Sequence, residues 1–391
     1  MAKFRVLALD GGGSWALIQV KALIDLYGAN ATGHDVLRDF DLAAGNSGGS
    51  IVLGGLVEDM PLVALHNFFL SEATRKSVFK QKPFHIPGTP KYDTAQKLVG
   101  LHAALPKRGG MLLADAAADI LSTQTGKPIH LLIVGFDYDC NRARLFRSAA
   151  ASGPAWGDGD TSQVKLAEAI HASTNAPVLF FDKPAQFPSE PAKRYWDGAI
   201  TGCNNPILPA VTEAVVLGNA PTSIAALSIG TGTVSLPQAP AGAAQQVYYA
   251  PAEDPGLLHD LEKIAGAIVD DPPDAGSFVA HVMTGGSPGL PAPVDSRIVR
   301  MCPMVAPVLD AAGNWGLPSG LDTNAFHTLA NLAMDAVDQG QVQAIENFAE
   351  VWLQDKVNNQ PIRSGGNHKT ELGQDHYSQA KAAWNLVKQG L

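Results

Sequence analysis

Phe40-Asp41-Leu42-Ala43-Ala44-Gly45-Asn46-Ser47-Gly48-Gly49-Ser50-Ile51-Val52-Leu53 carries one apolar run through a Gly-x-Ser-x-Gly turn into a second apolar run. Such spacing reads as a serine on a sharp strand-to-helix elbow, with Gly45 and Gly49 as its frame. The middle residue is forced into a strained conformation and the neighbouring chain comes close, which only glycines tolerate. The serine hydroxyl then stands clear of the sheet, facing the free amides of the next helix, an arrangement suited to nucleophilic attack on an ester. Glycine-rich elbows also serve as plain structural joints or phosphate loops, so the pattern by itself leaves those readings open.

Upstream of the elbow the same unit occurs once more. Phe4–Leu9 is a short apolar run, Asp10-Gly11-Gly12-Gly13 follows, and a helical pattern begins near Ala16 and runs to Leu26. Two strand–loop–helix units in succession imply a parallel sheet covered on both faces. Ile129–Phe136, Arg144–Phe146 and Ile224–Ile229 are further strand candidates, each short and apolar as buried strands are. Helices are expected at Ser50–Val57, Thr94–Leu105 and Leu113–Leu121, with Pro83, Pro87 and Pro90 marking a loop between the second unit and the third strand. From Leu236 to about Gly320 the chain is rich in Pro, Gly and Ala, which suits irregular connections. Beyond it, Ala325–Leu353 reads as one long alanine-rich helix, Ser364–Asp375 as a polar loop and Tyr377–Lys388 as a last helix. The apolar positions Leu329, Leu332, Ala333, Ala336 and Val337 fit a packed helix face better than a lid or dimer surface.

The 391 residues suffice for one enlarged domain or two, and we expect a division near Leu236, giving units 3–235 and 236–391. With 46% hydrophobic and 17% charged residues and a formal net charge of −9, the chain has no electrostatic case for nucleic acid or an anionic surface. Cys140, Cys203 and Cys302 are widely spaced and odd in number, so a disulfide framework is not expected and a reducing compartment, the cytoplasm, is. Met1–Arg5 enters the first strand directly, leaving no space for a signal peptide, and the apolar runs are too short to span a bilayer.

The glycine triplet offers consecutive bare amides, fit for a developing oxyanion or a phosphate. Ser14-Trp15-Ala16 follows it, which matches neither dinucleotide-binding nor P-loop spacing. Eleven histidines are present, and none has a position that marks it as the base for a serine. Tyr195-Trp196-Asp197-Gly198-Ala199 instead puts a carboxylate at the end of a short aromatic run, before the turn Asn204-Asn205-Pro206. An ordinary turn aspartate has the same local appearance.

Taken in order, Asp10–Gly13, Gly45–Gly49, Ala172–Phe180, Asp197–Ala199, Asn204–Pro206 and Ser228–Gly232 resemble the patatin-like phospholipase family. The resemblance implies a three-layer α/β/α sandwich around a mainly parallel sheet, with a helical C-terminal extension packed on it. It implies a lipid acyl hydrolase in which Ser47 is the nucleophile, Asp197 the general base of a Ser–Asp dyad, and the amides of Gly11, Gly12 and Gly13 the oxyanion hole. No cofactor or metal is implied; the partner is a lipid or other acyl ester, with transient contact to a membrane surface. Tyr195 and Trp196 fit the dry setting that a carboxylate base needs. Alternatives within the resemblance are an acyltransferase, a ligand-activated effector lipase and an inactive lipid- or partner-binding scaffold. Three departures stand out: Ser14-Trp15 where an arginine is usual, His171 in place of another arginine, and Gly48-Gly49-Ser50 in the elbow. The first two remove positive charge, which argues against a preference for phosphate head groups.

Overall fold

A computed structural model describes residues 4–82, 89–150, 159–178, 180–242, 244–251, 254–287, 296–363 and 371–389. Pro83, Pro87 and most of the loop Ser364–Asp375 lie outside the described residues, as does one position of the Ala172–Phe180 motif. The chain opens as β1 (Phe4–Leu9), α1 (Leu17–Tyr27), α2 (Gly33–Leu37), β2 (Leu42–Asn46) and α3 (Ser47–Val57). The helices α4 (Leu62–Leu70), α5 (Glu72–Val78), α6 (Thr94–Ala104) and α7 (Leu113–Ala117) come next, then the strands β3 (His130–Asp137) and β4 (Arg142–Arg147). The run α8 (Leu166–Ser173), β5 (Tyr195–Asp197), α9 (Ile207–Val216), β6 (Ile224–Ile229) and β7 (Thr233–Val234) completes the first part. The C-terminal part holds α10 (Leu257–Asp270), α11 (Pro272–Met283), β8 (Ile298–Met301), β9 (Met304–Val305), β10 (Val308–Leu309) and β11 (Trp315–Gly316). It ends with α12 (Thr323–Ala330), α13 (Gln339–Leu353) and α14 (Tyr377–Gln389).

The central sheet runs β4-β3-β2-β1-β6-β8, with β5 paired to β3 off that path. Four of its pairings are parallel, and β4 and β5 run antiparallel to β3. The strict alternation of side chains along a strand divides the core in two. Leu7, Leu9, Ala43, Leu131, Ile133 and Leu227 pack with α1, α3, α8 and α13. Their neighbours Val6, Ala8, Leu42, Ala44 and Ala226 pack with α9 and with Ala280 of α11. The protein is thus a mostly parallel sheet with helices on both sides, as the strand–helix alternation implies.

Three readings of the sequence are corrected. The segment Leu236–Gly320 contains α10, α11 and the edge strand β8, whose Pro and Ala content conceals regular structure. Pro272 and Pro273 sit in the first turn of α11, where a missing amide is harmless. Ala325–Leu353 is broken into α12 and α13 by the turn 331–338, because Met334 and Val337 give their carbonyls to Ser14 and Arg75. The helix after the elbow begins at Ser47, not Ser50.

The last helix, α14, closes against β1 and the turn before β2. Trp384 stacks on Phe40 at 5.7 Å and the Arg5 guanidinium donates to the Lys388 carbonyl at 2.6 Å. No helix among the described residues is long and apolar enough to cross a membrane.

Candidate active site

The sheet register alone sets two side chains face to face. β2 pairs with β3 up to Asn46 opposite Val134, and β5 takes over on β3 at the next residue, with Asp197 opposite Gly135. β2 therefore ends and β5 arrives at one point on the same template strand, running in opposite directions. Ser47, one residue past Asn46, is left-handed at φ 45°, a conformation that costs a non-glycine residue on the order of 1–2 kcal/mol. Its amide donates to Ser173 Oγ at 2.9 Å and its carbonyl accepts from Ser50 Oγ at 2.6 Å, which hold the strain in place. Gly49 is needed because a Cβ there would lie 2.3 Å from the Leu9 carbonyl oxygen.

Asp197 is buried, and the Ser47 side chain lies near enough to favour its ionised form. Asp197 Oδ1 also accepts from the Ala199 amide at 2.9 Å and from Asn46 Nδ2 at 3.5 Å. Burial outweighs these bonds and pushes the carboxyl up to about 6, within the range a general base requires. Tyr195 turns away to stack on Phe187 at 5.2 Å, and Trp196 packs against the Tyr92–Phe181–Val337 cluster. No histidine hydrogen-bonds Ser47 among the described residues. His171 is buried on α8 and held in its neutral form by burial and by the neighbouring Lys97.

The glycine loop lies against this pair so closely that a Cβ added at Gly11 would stand 3.0 Å from Ser47 Cβ. The Gly11 amide is already committed, donating to the Asn204 carbonyl at 2.8 Å. Among the described residues the amides of Gly12 and Gly13 have no acceptor, so the bare donors number two where the sequence suggested three. The loop is pinned from four sides. Thr231 Oγ1 donates to the Gly11 carbonyl at 2.7 Å, and Gln19 Nε2 to the Asp10 carbonyl at 2.9 Å. Asn204 Oδ1 accepts from Asn46 Nδ2 at 3.3 Å, joining loop and elbow. Arg300 of β8 grips the Asp10 carboxylate in two bonds of 2.9 and 2.6 Å and reaches Ser228 Oγ at 2.7 Å.

These contacts explain why Asn204 and the Ser228–Gly232 run accompany the site. Arg300 itself was missed, since an isolated arginine in an apolar strand carries no local signal. Trp15, at the position of the usual arginine, packs edge-on to Phe348 at 6.1 Å and donates Nε1 to the Ala333 carbonyl at 3.4 Å.

Above Ser47 opens a pocket whose walls include Ile51, Phe79, Tyr92, Phe181 and Met334. Its lining is mostly apolar, the polar groups being those of Ser47, Tyr92, Thr174 and Asp335 and the glycine-loop backbone. The turn 331–338 forms one wall: the Ser14 amide donates to the Met334 carbonyl at 3.0 Å, and Asp335 Oδ2 accepts from Lys91 Nζ at 2.8 Å and the Tyr92 hydroxyl at 2.9 Å. Among the described residues no cluster of three or more His, Cys, Asp or Glu is placed to hold a metal ion.

The sequence model of the patatin-like phospholipase family matches residues 7–211, which include every residue of the elbow, the glycine loop and the Asp197 turn. An intracellular phospholipase A2 of Caenorhabditis elegans is 27% identical over 212 residues, 54% of this chain. The match spans 17% of that protein's length. Among solved structures, VipD from Legionella pneumophila aligns over 88% of this chain and 67% of its own, at 11% identity and a TM-score of 0.40. With more than half of its residues matched by the family's own sequence pattern, the chain belongs to the patatin-like phospholipase family.

Proposed function

We propose that this protein is a serine lipid acyl hydrolase of the phospholipase A or esterase type, working through a Ser47–Asp197 dyad. The observation that carries the reading is the left-handed elbow serine Ser47 set by the sheet register beside Asp197, a buried carboxyl that burial pushes up to about 6. In the first half-reaction Asp197 takes the Ser47 proton as Ser47 Oγ attacks the acyl carbonyl. The Gly12 and Gly13 amides receive the tetrahedral oxyanion, each such donor being worth about 10²–10³ in rate. Collapse of the intermediate expels the alcohol, which leaves with the proton from Asp197, and Ser47 stays acylated. Asp197 then draws a proton from water, the hydroxide attacks the acyl-serine, and the fatty acid is released as Ser47 regains its proton.

The apolar pocket suits an acyl chain, and no free cation lines it among the described residues, which fits neutral esters at least as well as phospholipids. The reaction calls for no cofactor or metal. We place the protein in the cytoplasm, acting at lipid surfaces in transient contact, in keeping with the free thiols Cys203 and Cys302. Ser47→Ala tests the reading: it removes p-nitrophenol release from medium-chain esters while circular dichroism stays native. Turnover at the wild-type rate in that variant would reject the nucleophile.

A further inference from the structure

Directly behind the dyad lies a lysine shut off from solvent, with no carboxylate in contact among the described residues. Lys97 of α6 is fully buried, and its Nζ donates to the His171 carbonyl and to Asn175 Oδ1, both at 2.9 Å. Its third direction faces the ring of Phe181, 4.1 Å from the centroid. Two oxygens and the negative face of a ring use all three N–H groups of an ammonium. A neutral amine would have to aim its lone pair at one of them.

Asn175 links this cation to Asp197. With Oδ1 on Lys97, its Nδ2 is turned to the Lys183 carbonyl at 2.9 Å and the Tyr195 carbonyl at 3.4 Å, while its own carbonyl accepts the Asp197 amide at 3.0 Å. Among the described residues no other lysine, arginine or ion pair faces Asp197. The remaining titratable groups around Lys97 are accounted for. His171 on α8 is neutral, Asp182 is held by Thr94 and Lys82, and Arg75 on α5 donates to the Phe69 and Val337 carbonyls. His102, further along α6, adds positive charge near His171 when protonated. Burial works against the ammonium and against the carboxylate alike, and each charge favours the other.

We propose that Lys97 is a positioning residue for Asp197: its ammonium is the counter-charge of that buried carboxylate and the clamp on the Asn175 turn that carries the Asp197 amide. The proposal rests on Asp197 acting as the base. It predicts that a neutral residue at position 97 moves the acid limb of the rate profile as well as lowering the plateau.

The experiment follows kcat/KM for p-nitrophenyl butyrate from pH 5 to 9 in wild type, Lys97→Met, Lys97→Gln and Lys97→Arg, with thermal unfolding of each. Loss of an opposite charge at this range raises a carboxyl by about 1 pH unit or more. Both neutral variants should therefore lose about tenfold more activity, relative to wild type, at pH 5 than at pH 9. Lys97→Arg should keep the wild-type limb. A lowered plateau with the limb unmoved in the neutral variants makes Lys97 a packing residue and overturns the proposal. Failure of all three variants to fold overturns it too, whereas failure of only the neutral pair supports the need for charge. Ser47→Ala runs alongside. If it keeps its turnover, the dyad reading has failed; if it is dead and only the limb refuses to move, this inference alone has failed.

Discussion

Asp197→Asn separates what this carboxylate does for catalysis from what it does to stability. The amide fits the same space, can still accept from the Ala199 N–H that now bonds Oδ1 at 2.9 Å, and cannot serve as a base. Turnover should fall by about 10²–10⁴, the usual worth of general base catalysis. Stability should move the other way. A carboxyl that is raised from 3.8 to about 6 by burial prefers its proton in the folded state. Its contribution to stability is thus fully present below pH 3.8 and lost as pH rises through about 6. At 1.36 kcal/mol per pH unit, ionised Asp197 costs the wild type about 3 kcal/mol at pH 8 and about 1 kcal/mol at pH 4.5. The asparagine variant escapes that cost, so urea unfolding should show it gaining on wild type by about 2 kcal/mol between those two pH values. A stability difference that does not change with pH, or one that grows toward acid, would refute the view that burial of a charge sets the properties of this base.

Gly12→Ala would bring a Cβ to 2.2 Å from Thr231 Oγ1, so the loop must shift. A fall of kcat by about 10²–10³ in a protein with native circular dichroism is the expected result. Arg300→Met leaves Asp10 buried without a partner and should lower the unfolding free energy by about 3–5 kcal/mol. Adding Asp10→Asn should recover part of that loss in the same denaturation assay. Ala176→Trp fills the pocket wall, so KM for p-nitrophenyl decanoate should rise far more than KM for the acetate.

The elbow, the glycine loop and the first strands were legible because each is a local event. Gly45 meets Gly49 and Ser50, and the Gly45–Gly49 spacing is written into a handful of adjacent residues. Asp197 is singled out by motif order, since nothing within Tyr195–Ala199 tells a base from a turn residue; its place beside the elbow comes from two strands meeting on β3. What the sequence hid is long in range. Arg300 meets Asp10 only after β8 docks beside β6, and Lys97 becomes a buried cation only when α6 lies against α8. The break between α12 and α13 is invisible for the same reason. Leu329 to Val337 has helical spacing, and the helix gives way because distant donors, Ser14 and Arg75, claim its carbonyls. The alanine and proline content of the middle segment misled in the opposite sense, because proline at the start of α11 supports a helix instead of ending it.

The wall supplied by Met334 and Asp335 bears on the order in which the protein is made. A ribosome adding about 5–20 residues per second reaches Met334 on the order of 10 s after it has finished Asp197. For that interval the nascent chain has both Ser47 and Asp197, yet the Ser14 amide has no Met334 carbonyl to hold it and the Lys91–Tyr92 edge has no carboxylate to close against. The pocket above Ser47 is therefore completed only once the turn 331–338 has been made, long after the two residues at its floor.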